Sequence, residues 1–145
     1  CVYDIMDAIK EKDAFLATGH ISPEESLILC REGRKRGVNM ILTHPEFPRT
    51  RIGRDDQAEL AKLGVVIEKN WFNLAQKSVM PEEMAETIRT VGSGHVYLAT
   101  DRGQKGAPTP VSELKRFIAV MLTCGIAEAQ IRDMVQKVPE EMVCR

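Results

Sequence analysis

The run "MILTHPEFP" (Met40–Pro48) decides how this chain is read. An apolar stretch stops at His44, and Pro45 and Pro48 keep the segment after it out of a helix, because proline lacks the N–H and restricts the residue before it. The arrangement recurs twice. "FLATGHIS" (residues 15–22) stops at His20, and "VYLATDRGQ" (residues 96–104) puts Asp101 in the terminal place. Three apolar, strand-like runs thus each end in a side chain able to bind a metal.

Working outward, the periodicity falls into repeated units of one strand and one helix. Val2, Ile5, Met6 and Ile9 recur at helical spacing and lead into the strand "AFLATG" (14–19). Ser22 as N-cap, Pro23 at the first helical position and Glu25 as the partner in a capping box open a helix that runs to Gly37. "VNMILT" (38–43), "VVIEKNW" (65–71) and "HVYLATD" (95–101) read as strands. "RDDQAELAKLG" (54–64), "MPEEMAETIRTVG" (80–92), "PVSELKRFIAVMLTCG" (110–125) and "AEAQIRDMVQKVPEEMV" (127–143) read as helices. Strand runs apolar on both faces, alternating with helices, predict parallel βα units with right-handed crossovers. In such a sheet the strands point one way, so His20, His44, Trp71 and Asp101 fall together at the carboxyl edge, where α/β proteins bind ligands.

Composition bounds the function. The 145 residues are 43% hydrophobic and 28% charged, with a formal net charge of −1, as in one globular domain spanning 1–145. Basic residues cluster in "REGRKRG" and "PRTRIGR", without interleaved aromatics or a net basic balance, so nucleic acid is not expected as a partner. No apolar run approaches the ~20 residues of a membrane span and no signal-peptide pattern opens the chain. Cys1, Cys30, Cys124 and Cys144 are scattered and form no CxxC pair, which fits reduced thiols in a cytoplasm.

Two imidazoles and a carboxylate on separate strands can hold a divalent ion, zinc above all, and leave positions open for water. A water bound there supplies hydroxide near neutral pH. Asp101 can serve as ligand, as base for that water, or as both in turn. No GxSxG elbow is present for a serine nucleophile. Around this trio, Glu46, Arg49, Trp71, Arg102 and Gln104 are candidate substrate-binding residues, Gly103 and Gly106 letting the backbone approach a ligand. His95 opens the fourth strand, at the far end of the sheet, and reads as structural.

The motifs "ATGH", "THPEF" and "LATDRGQ", in this order on successive βα units, resemble the C-terminal half of the amidohydrolase superfamily of metal-dependent (β/α)8-barrel hydrolases. They are most similar to an uncharacterised branch carrying TGH, THPE and TD-x-GQ segments. The resemblance implies an α/β fold equivalent to strands five to eight of a TIM barrel. It implies His20 and His44 as fifth- and sixth-strand metal ligands, and Asp101 as the eighth-strand acid that binds metal and handles the water proton. It also implies hydrolysis of an amide, ester or related bond of a small-molecule substrate.

Family members also carry an H-x-H pair on the first strand. A whole barrel takes about 250 residues, and this chain begins without methionine inside a helical pattern. The expectation is therefore half of a barrel, completed by an N-terminal half or by a second copy, with Phe15, Ala17, Ile41, Val66 and Leu98 on a concave apolar face. The alternative is a non-catalytic α/β module that oligomerises or binds a small ligand.

Overall fold

The computed structural model describes residues 1–144. Four parallel strands, β1 (Phe15–Ala17), β2 (Asn39–Leu42), β3 (Val66–Asn70) and β4 (Val96–Ala99), lie side by side in chain order. Between and around them run α1 (Val2–Glu11), α2 (Pro23–Lys35), α3 (Arg54–Lys62), α4 (Trp71–Ala75), α5 (Pro81–Val91), α6 (Pro110–Thr123), α7 (Glu128–Arg132) and α8 (Val138–Val143). None of the helices among the described residues is long and apolar enough to cross a membrane.

The α/β alternation matches the expected units, and local chemistry explains the boundaries. Ser22 accepts from the Glu25 N–H at 3.2 Å while the Glu25 carboxylate accepts from the Ser22 N–H at 3.0 Å, closing the capping box that starts α2. Gly37 and Gly64, both at positive φ, turn the chain out of α2 and α3 into the next strands.

Two elements differ from the sequence reading. The third strand stops at Asn70, because the Asn70 side chain accepts from the Phe72 N–H at 2.9 Å and caps a short helix that begins at Trp71. The last helical stretch is interrupted by a π-helical turn at Asp133–Lys137. Pro139 cannot donate to the helix and its ring crowds the carbonyl four residues back, and the wider turn accommodates both.

With parallel strands in sequential order, crossovers of one hand put the helices that join them on the same face of the sheet. On that face Met40, Leu42, Ile67 and Val96 are fully buried and Leu98 nearly so. Met40 packs against Gly33 of α2 so closely that a Cβ there would collide with the Met40 sulfur. Leu98 therefore belongs to the helix-covered core and not, as expected, to the opposite face, since it alternates with Tyr97 and pairs in register with Lys69. The opposite face carries Phe15, Val66 and Tyr97 half-buried and Ala17 exposed, with the polar Glu68 and Asn70 buried towards the carboxyl edge.

Candidate functional site

The carboxyl ends of β1 and β2 are stitched together by the threonines of their motifs. Thr18 Oγ1 accepts from the Thr43 N–H at 3.0 Å, and Thr43 Oγ1 accepts from the Gly19 N–H at 3.3 Å. Gly19, at φ +63°, turns the chain just beyond β1 and presents His20; His44, at φ +48°, turns at once after Thr43. The two imidazoles end with ring centres 5.1 Å apart and planes 23° from parallel. Across the mouth His44 Nε2 stands 4.0 Å from Asp101 Oδ2, and Asp101 also has positive φ, +49°. Left-handed backbone at a non-glycine residue is uncommon and tends to collect at functional sites.

These three side chains line a cleft of about 370 Å³ with Phe47, Arg49 and Phe72. His20 and Asp101 are exposed at its rim, whereas the His44 side chain is only 12% exposed. The His44 backbone is fixed from two sides. Its N–H donates to Glu68 Oε2 at 3.1 Å, and its carbonyl accepts from Thr50 Oγ1 at 2.6 Å. The ring leaves Nδ1 buried with no hydrogen-bond partner, the kind of orphaned atom that a bound group would satisfy.

The donor set fits a divalent ion in type. Two imidazoles bound to one zinc at about 2.0–2.1 Å have ring centres roughly 5 Å apart. His20 and His44 stand at that separation but with their rings stacked, 23° from parallel, so the rings have to turn for their nitrogens to meet at one ion. Among the described residues no three His, Cys, Asp or Glu side chains are gathered tightly enough to hold an ion as they stand.

Of the other expected substrate residues, only Arg49 lines the cleft. Glu46 is buried behind it, accepting from Lys69 Nζ, and Lys69 also donates to Gln57 Oε1 at 2.6 Å. Burial pushes the Lys69 amine below the ordinary lysine range, with the Glu46 carboxylate opposing the shift. The Trp71 indole turns away to donate to Glu113 Oε2 at 2.5 Å and packs on Phe117, so Phe72 and not Trp71 reaches the cleft. Arg102 is paired with the same Glu113, Nε to Oε2 at 3.3 Å. Gln104 Nε2 donates to the Asp101 carbonyl at 3.1 Å and so braces the loop that carries Asp101. His95, in a 3₁₀ turn at the opposite end of β4, is exposed and remote from the cleft.

The model of a family of unknown function (DUF6282) matches residues 1–68, a span that holds His20, His44, Glu46 and Arg49 but not Asp101. No curated protein and no solved structure matches the chain.

Proposed function

We propose that the cleft is the reactive site of a metal-dependent hydrolase of amidohydrolase type, built on βα units equivalent to the second half of a TIM barrel. The convergence of His20, His44 and Asp101 from three strand ends onto one cleft carries this reading. His20, His44 and Asp101 would hold the ion, zinc by preference. A divalent ion supplies an acidified water near neutral pH. Asp101, 48% exposed, would take the proton as water adds to an amide, ester or related carbonyl and would return it to the leaving group. Glu68 and Thr50 keep His44 in place through its backbone.

The test is metal content after purification without chelators. The parent chain and His95→Ala should retain zinc, and His20→Ala and His44→Ala should lose it. Equal content in all four proteins rejects the assignment.

A second reading, a non-catalytic module that pairs with a second copy of itself, is favoured by an apolar groove at the β1 edge of the sheet. The groove, of about 630 Å³, lies beside β1 on the side of Leu16, between α1 and α2, and is flanked by Val2, Tyr3, Ile5 and Ile28, all exposed. Apolar surface of this kind is rarely left open by a monomer. A monomer in sedimentation equilibrium at high concentration rejects this second reading and leaves the first untouched.

A further inference from the structure

We infer that the cleft takes a small planar monoanion, a carboxylate attached to an aromatic or similarly flat body, with Arg49 as the group that recognises the charge. The inference rests on the reading of this cleft as the reactive site and adds the class of substrate. Arg49 is the one lysine or arginine lining the cleft, and among the described residues no carboxylate pairs with it. By contrast Arg51, Arg54 and Arg102 are each engaged by a glutamate. A guanidinium left without a partner at the edge of a concave site presents its fork of donors to whatever enters.

The loop that carries Arg49 is held in shape. Ile52 N–H donates to the Pro45 carbonyl at 3.0 Å, Thr50 N–H to the Phe47 carbonyl at 3.0 Å, and Thr50 Oγ1 to the His44 carbonyl at 2.6 Å. Glu46, Thr50 and Ile52 are buried by this folding, and Phe47 and Arg49, two residues apart, are turned to the cleft. The backbone beneath Arg49 is thus already ordered, and only its exposed side chain has to be fixed on binding.

The remaining lining selects the rest of the ligand. Phe47 lies 6.2 Å from the His20 ring and 6.3 Å from the His44 ring, and Phe72 closes the other side, so flat apolar surface surrounds the cleft. The formal charges of the lining are Arg49 and Asp101, one of each sign. A monoanion paired with Arg49 leaves only the single negative charge of Asp101 in the cleft. A phosphate ester carries about −1.5 to −2 charges at pH 7 and would face Asp101 with a single guanidinium to offset it. The shape and the charge together therefore favour a carboxylate over a phosphate.

The probes are benzoate, its neutral isostere benzamide, and inorganic phosphate, titrated into the ¹⁵N-labelled full chain in EDTA and monitored by amide chemical shifts. Benzoate should saturate with shifts at residues 44–49 and around Asp101. Benzamide and phosphate should bind about tenfold more weakly or not at all, the factor expected for losing one charge-assisted contact. Arg49→Gln should weaken benzoate by a similar factor, Arg49→Lys by less, and Lys105→Gln, which removes an equal charge outside the cleft, should leave it unchanged. The proposal is overturned if benzoate does not saturate, if benzamide or phosphate matches it, or if Arg49→Gln has no effect. Because chelator is present, the result is independent of zinc. Benzoate binding without zinc retention sinks only the metal reading, and zinc retention without benzoate binding sinks only this one.

Discussion

The Glu68 carboxylate accepts from the main-chain N–H of His44 at 3.1 Å, so the third strand determines where the second one ends. The same carboxylate takes the Asn70 side-chain amide at 3.1 Å, and both Glu68 and Asn70 are buried. Glu68→Ala leaves two donors without an acceptor and should cost about 1–3 kcal/mol. Glu68→Gln keeps a carbonyl oxygen in place and should recover much of that. Urea unfolding of the three proteins measures it, and equal midpoints for parent and Glu68→Ala would show that His44 is held by other means.

Behind the cleft, Lys69 is completely buried and its charge is met by Glu46. Lys69→Met strands the Glu46 carboxylate, a change that typically costs about 3–5 kcal/mol. Adding Glu46→Gln should restore a large part, and a double variant no better than the single one would contradict the pairing. The pair also has a pH signature. Burial holds the folded pKa of Lys69 below its ordinary 10.5. Between those two values the unfolded chain binds more protons than the folded one, so the stability contributed by this group rises with pH. Below the folded pKa both states are protonated and the dependence vanishes. Lys69→Met should abolish the rise on the alkaline side, as read by denaturant midpoints across that range.

The features legible in the sequence had local or positional causes. The capping box at Ser22 is written in adjacent residues, and the gathering of His20, His44 and Asp101 at one edge is a consequence of strand direction alone. The helix starting at Trp71 was hidden because Asn70 serves both as the last strand residue and as a cap. Lys69 and Glu46 find each other across 23 positions, and nothing in either segment signals that pairing. The threonines of "ATGH" and "LTH" read as ordinary strand residues, though each accepts a backbone N–H from the neighbouring motif. The placement of Leu98 depended on the parity of β4, which a one-residue change in register reverses.

The contact between Gly33 and Met40 gives a test of the core between α2 and β2. A methyl group at position 33 would overlap the Met40 side chain, which is fully buried. Gly33→Ala should therefore destabilise by about 1–3 kcal/mol, the usual cost of overpacking, even though alanine favours helix. Adding Met40→Val shortens the obstructing side chain and should return part of the loss. A Gly33→Ala protein as stable as the parent in thermal unfolding would mean that this packing is looser than the structure has it.

Trp71 is the only tryptophan in the chain, so its emission reports one place. The indole donates to Glu113, a carboxylate only 2% exposed that also receives Arg116 at 3.0 Å and faces Arg102. Glu113→Ala removes the acceptor of the indole N–H and leaves the Arg102 guanidinium, largely buried, without its counter-charge. It should cost about 2–4 kcal/mol and shift Trp71 emission to the red as water reaches the ring. Since the indole points towards α6 and not into the cleft, benzoate at the Arg49 site should leave the emission of the parent protein unchanged. A saturable change in Trp71 emission on adding benzoate would place the indole at the ligand, as the sequence alone suggested, and would overturn the orientation described for it.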